Sequence, residues 1–169
     1  MLVIEDGTGV VGSNSYASVE ELQEYATARG LTLPSEVPRL EALLIDAEAY
    51  LSSLMLPFQG WPVSAGQLLS WPRTNGEDDW AYSQIVPQRV KQAQLFLAAA
   101  GATAPLFKIH DPTDRGPIKA VTVGPIKTEY AGSSNTTSSG GGAYQHEVLM
   151  LLVPYLRPRG ASVRAYKAI

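Results

Sequence analysis

Asp78 and Asp79 sit side by side, and His110-Asp111-x-x-Asp114 lies further along the chain; these are the residues whose types could support catalysis. Paired carboxylates cleave glycosidic bonds or hold metals for phosphoester hydrolysis when rigid elements keep them a few ångströms apart beside a cleft. Here they occupy stretches marked by Gly76, Pro112 and Gly116, where a solvated turn accounts for them. The spacing of an EF-hand is absent, and His146 is the one other histidine, so neither a calcium nor a zinc site is expected. There is no cysteine, which removes disulfides, thiol nucleophiles and thiolate metal sites together, and no G-x-S-x-G elbow. The residues point away from an enzyme, with no cofactor and no metal.

The aromatic residues offer binding chemistry instead. Trp61-Pro62 and Trp71-Pro72 share one irregular region, followed by Arg73, Trp80 and Tyr82. A residue before proline is steered to extended geometry, so each indole can lie flat over a helical surface and cap the core. The competing use is as stacking platforms for unpaired bases, which needs exposed rings beside positive charge. Glu77-Asp78-Asp79 immediately before Trp80 favours core capping. The C-terminal stretch is basic, with Arg157, Arg159, Arg164 and Lys167 around Tyr166 and no acid. It reads either as a solvated terminus or as an arm that orders on a negatively charged partner, protein or DNA.

Gly7, Gly9 and Gly12 lack the Lys-Ser/Thr pair of a phosphate loop and are explained by turns, within a small hairpin or an extended arm formed by residues 2–14. The net charge of -3 and pI near 5.4 give no global reason to bind nucleic acid, so DNA binding would need a local basic patch. With 169 residues and 45% apolar content, one folded domain is expected. No apolar run approaches the roughly 20 residues that span a bilayer and no signal-type leader is present, so a soluble, non-secreted protein without membrane contact is expected.

Four helices must position these groups. Ser18 and Glu21 form a capping box ahead of Val19, Leu22, Tyr25 and Ala26, with Gly30 as the stop. The longest helical stripe runs from Pro38 to Met55 through Leu40, Leu43, Leu44, Ala47 and Leu51. Pro87 opens a third helix with Val90, Ala93 and Leu97 on one side and Gln94 on its flank, ended by Gly101 to Pro105. A fourth runs from about Ala143 to Leu156, burying Val148, Leu149, Leu152 and Val153 or Leu156, with Pro154 bending it or ending it early. Residues 118–123 and 126–130 carry β-branched alternation broken by Gly124-Pro125, and residues 132–142 read as a flexible Ser/Thr/Gly loop. The fold expected is mainly α: a four-helix body with a small β-hairpin, a flexible loop and a tail. The body spans 1–156 and the basic arm 157–169.

The order Glu5-Asp6-Gly7-Thr8-Gly9, Asn14-Ser15-Tyr16-Ala17-Ser18, Leu69-Ser70-Trp71-Pro72-Arg73, Val86-Pro87 and Val123-Gly124-Pro125-Ile126-Lys127-Thr128-Glu129-Tyr130 resembles a tailed-phage family labelled DnaT-like single-stranded-DNA-binding. The same layout resembles phage head-tail connector or adaptor proteins. The adaptor resemblance implies a viral structural protein of the virion neck, assembled in the host cytoplasm. It would form a homo-oligomeric, dodecameric ring between the portal protein and a stopper or tail-completion protein. Packaged double-stranded DNA would pass through its channel without sequence-specific contact. The DnaT-like label implies a replication-associated single-strand binder. Acidic charge and the acids beside Trp80 favour the adaptor. Arg157, Arg159, Arg164, Tyr166 and Lys167 are then the proposed partner-binding arm, while Trp71, Pro72 and Arg73 are architecture fixing the segment between helices.

Overall fold

Helix formation follows the apolar spacing. The computed structural model describes residues 1–74, 86–107, 120–123, 126–129 and 141–157, and contains α1 (Val19–Arg29), α2 (Val37–Ser53), α3 (Gln88–Thr103) and α4 (Gly141–Leu152). A single 3-10 turn, Val153–Tyr155, continues α4, because Pro154 lacks the N–H that an α-helical turn would use. Two antiparallel ribbons complete the elements: β1 (Trp61–Pro62) with β2 (Arg73–Thr74), and β3 (Ala120–Val123) with β4 (Ile126–Glu129). The mainly α, four-helix architecture with a small hairpin is as expected. The ribbon that pairs Trp61 with Thr74 has only two residues per strand and left no alternation to read.

The capping box on α1 is formed reciprocally, with Glu21 N–H donating to Ser18 Oγ at 3.2 Å and Ser18 N–H donating to Glu21 Oε2 at 2.8 Å. Helix α2 buries Leu40, Leu43, Leu44, Ala47 and Leu51 as the stripe requires, and packs most extensively on α3. Gly101 lies inside α3 rather than ending it. A Cβ there would just touch Leu43 and Leu106 at 3.4 Å, ordinary van der Waals contact, so α3 packs closely on α2 at this point. Helix α4 starts at Gly141, earlier than expected, and buries Val148 and Leu152, whereas Val153 is exposed. The expected loop at 132–140 and the tail beyond 157 lie outside the described residues. Each enclosed leucine of this core contributes about 1.5–3 kcal/mol by leaving water.

Three buried polar residues hold what hydrophobic contact alone would leave loose. Gln94, expected on a flank of α3, is fully buried. Its Oε1 accepts the Tyr16 N–H at 2.8 Å, and its Nε2 donates to Ser15 Oγ and to the Leu44 carbonyl, both at 2.9 Å. One amide thus joins the N-terminal segment, α2 and α3. Glu5, also buried, organises residues 5–13. Gly7 and Gly9 N–H donate to its Oε1 at 3.0 and 2.8 Å, while Val10 N–H and the Ser13 hydroxyl donate to Oε2 at 2.9 and 3.1 Å. The positive φ of Gly7 and Gly9 turns those N–H groups toward one carboxylate. In place of a hairpin there is a loop wound on its own anion, closed by the parallel bridge of Ile4 with Ser15.

Glu48 is the third. It lies buried on α2 with Ser52 Oγ donating to its Oε1 at 2.6 Å, beside a small pocket lined by Tyr16, Phe58, Ser70, Trp71 and Leu152. Burial pushes its carboxyl above the ordinary value, against the Ser52 hydrogen bond, and burial also raises the Tyr16 phenol. At the end of α2, Met55 adopts φ +46 with its side chain in water, a left-handed position that glycine usually fills.

Three outcomes are expected of stability measurements. Gln94→Leu strands the Tyr16 N–H, while the Leu44 carbonyl keeps its helical partner, and should cost about 2 kcal/mol by urea unfolding; a loss under about 1 kcal/mol would show that the amide does not tie these elements together. Met55→Gly removes left-handed strain, partly offset by the freer unfolded chain, for a gain of about 0.5 kcal/mol; destabilisation would contradict it. The folded state holds the Glu48 proton more tightly than the unfolded state does. The cost of ionising Glu48 is therefore absent below the ordinary glutamate value and grows as pH rises through the raised folded value. Glu48→Gln, which keeps an acceptor for Ser52, should be more stable than the parent at pH 8 and lose less stability between pH 5 and 8. Parallel pH profiles for the two proteins would count against that assignment.

Candidate nucleic-acid interface

The two Trp-Pro pairs have opposite fates. Trp71 is fully buried, with Phe58 and Tyr155 edge-on at 5.8 and 5.6 Å between ring centroids, and its backbone N–H donates to the Tyr16 hydroxyl at 3.2 Å. Pro72 is buried beside it, across a cis bond. Trp71 is thus the core-capping residue expected. Trp61 is not: it is 56% exposed, placed at the surface by β1 after a turn at Gly60. The expectation that both indoles close the core fails because Phe58 and Tyr155 enclose only one of them.

Arg73 follows directly from the buried dipeptide and is half-buried. Its Nε donates to the Gln59 carbonyl at 2.7 Å, Nη2 to the Gly60 carbonyl at 2.7 Å and Nη1 to the Ser70 carbonyl at 3.1 Å. These contacts join Arg73 to the turn at residues 59–60 and to the chain before Trp71. Arg157 arrives from the other end of the chain. Its N–H donates to the Pro57 carbonyl at 2.9 Å, its Nε to the Phe58 carbonyl at 3.2 Å, and its guanidinium carbon stands 5.3 Å from the Trp61 ring centroid. Gln59 secures the junction, its N–H donating to the Tyr155 carbonyl at 2.9 Å and its Nε2 to the Leu156 carbonyl at 2.8 Å. Arg157, the first residue of the proposed arm, is thus bonded to the body.

Both guanidinium groups hang from the consecutive carbonyls of Phe58, Gln59 and Gly60. Among the described residues neither has a carboxylate partner; the ion pairs there are Lys91 with Glu21 and the N-terminal amine with Glu41. Burial first, and then the charge of Arg157, pull the Arg73 guanidinium below its ordinary value. An exposed indole and two arginines, with no neutralising acid among the described residues, make a small cationic, aromatic edge.

The other candidates are not gathered here. Arg159, Arg164, Tyr166 and Lys167 lie outside the described residues, as do Glu77, Asp78, Asp79, Trp80, Tyr82, His110, Asp111 and Asp114. His146 is exposed on α4. Among the described residues no group of three or more His, Cys, Asp or Glu could hold a metal ion, and no helix is long and apolar enough to cross a membrane. Sequence reasoning missed the pairing of Trp61 with Arg157, since the only local signal was a tryptophan before proline.

No curated protein and no solved structure matches this chain at a significant level. A family profile described as "Putative DnaT-like ssDNA binding protein" matches residues 1–168. It overturns the expected function of a head-tail adaptor. With that function go the attributes attached to it: virion connector of the phage neck, viral structural protein, portal-binding oligomeric ring and DNA channel. Of the two resemblances drawn from the ordered motifs, the adaptor likeness finds no support, and the error came from weighing net acidity above the local arrangement. Over essentially its whole length, the chain belongs to the DnaT-like single-stranded-DNA-binding family.

Proposed function

We propose that this protein binds single-stranded DNA by its aromatic and cationic edge, an unpaired base stacking on Trp61. The observation that carries the proposal is the exposed Trp61 ring with Arg157 beside it, on a part of the surface where neither Arg157 nor Arg73 is neutralised by an acid among the described residues. The family description supports it. An indole left in water forgoes the free energy of burial that Trp71 gains, and a base can supply the missing apolar contact. Every base has a π-face, so such a platform tolerates sequence, whereas a duplex keeps its bases stacked on one another. Net acidity does not forbid this, because phosphates within a Debye length of about 8 Å respond to the nearby arginines more than to distant carboxylates. The protein acts by binding alone, without catalysis.

Stacking should quench Trp61 emission when an unstructured oligonucleotide is titrated at physiological salt. Trp61→Ala should weaken that binding about tenfold or more, in line with about 1–3 kcal/mol per stacked base, while leaving the melting temperature nearly unchanged because the ring is exposed. Binding of single strands no tighter than of a non-nucleic polyanion, or equal affinity for the Trp61→Ala protein, would overturn the assignment.

A further inference from the structure

We propose that Arg73 and Arg157 together form a seat for one phosphate group, the phosphodiester adjoining the base on Trp61. The seat follows from the anchoring. Phe58 O holds Arg157 through Nε at 3.2 Å, while Gln59 O and Gly60 O hold Arg73 through Nε and Nη2 at 2.7 Å, so three successive peptide units fix two cations side by side. Their aromatic neighbours are fixed too. The Arg73 guanidinium carbon lies 5.9 Å from the Phe58 centroid, and that of Arg157 lies 5.3 Å from the Trp61 centroid.

Like charges held together this way repel each other, and an anion between them would relieve the repulsion. A guanidinium carries five N–H donors. Arg73 spends three on carbonyls and Arg157 spends one, so both retain donors in the fork geometry that suits phosphate oxygens. Among the described residues no carboxylate occupies that position. Identifying the phosphate as part of a DNA backbone rests on the function proposed above. The seat itself does not, since free inorganic phosphate presents the same oxygens.

The two arms of the test separate these. In the first, the affinity of the full chain for an unstructured oligonucleotide is measured across salt concentrations. Each phosphate contact in a single strand contributes about 0.7 to the slope of log K against log salt. Arg157→Gln should therefore flatten the slope by about that amount, whereas Trp61→Ala should lower affinity with the slope unchanged. Arg73 also braces the backbone, so it is tested as Arg73→Lys, which keeps the charge and should hold the slope while weakening binding. In the second arm, inorganic phosphate is titrated while the Nε–H signals of Arg73 and Arg157 are followed by NMR. Joint, saturating shifts in the parent, lost from Arg73 in the Arg157→Gln protein, support the seat. If single strands do not bind but phosphate produces these shifts, the seat stands with free phosphate as its ligand and the DNA-binding function falls. If the parent binds single strands and Arg157→Gln leaves the slope unchanged, the seat is overturned while the function stands. If neither arm responds, both fall.

Discussion

Burial of one indole governs the geometry of everything near the candidate interface. Trp71 is enclosed by Phe58, by Tyr155 and by the Tyr16 hydroxyl that accepts its backbone N–H, so its side chain and backbone bring together the N-terminal segment, the chain after α2 and the end of α4. Those contacts span most of the sequence. Arg73 is two residues from this anchor, Arg157 is two residues from Tyr155, and Trp61 is three residues from Phe58. Each member of the cationic edge is therefore a short tether away from a ring that cannot move without exposing the core. A ribbon of two residues per strand and the chain just after the 3-10 turn carry the edge, and the packing beneath supplies the rigidity that longer elements of regular structure usually provide.

The electrostatics work at the same short range. A chain of net charge -3 is expected to repel polyanions at a distance, and long-range steering toward DNA is not something this composition provides. Contact energy is another matter, because screening over about 8 Å leaves the nearest charges dominant. Two arginines fixed by carbonyls lose little side-chain freedom when an anion arrives, so more of their attraction survives as affinity than it would from mobile lysines. On the proposed binding mode, an acidic background around this cationic edge would favour slow encounter and local discrimination over indiscriminate adhesion to nucleic acid.

How much of this was legible in the sequence depends on how far apart the causes lie. Leu40, Leu43, Leu44, Ala47 and Leu51 announced α2, and Ser18 with Glu21 announced the start of α1, because each signal is complete within a few residues. Trp61 and Trp71 precede proline alike, and nothing local separates them. Their difference comes from Phe58 and Tyr155, and the latter lies far away in sequence. Gln94 has the composition of a surface residue and the partners of a core residue, since Tyr16, Ser15 and Leu44 meet it only after folding. Glu5 was the nearer miss, because a glutamate followed by Gly7 and Gly9 does carry a signal, namely N–H groups free to turn toward a carboxylate. Net charge, by contrast, is a sum that erased the positions of Arg73 and Arg157, and it misdirected the functional reading toward an adaptor.

Met55 shows why stability alone does not explain this region. A fully hydrated methionine in a left-handed backbone is unfavourable on two counts, strain and exposure, and glycine would relieve both. It stands two residues before Pro57, whose carbonyl receives the Arg157 N–H, and therefore borders the edge that carries Trp61. Proteins keep such outliers where the surrounding structure enforces them, and they concentrate at functional sites. An unbranched, polarisable side chain adapts to irregular apolar surfaces, and the faces of successive unstacked bases are surfaces of that kind. Met55 thus costs the free protein stability that glycine would restore, at a position that adjoins the edge through Pro57.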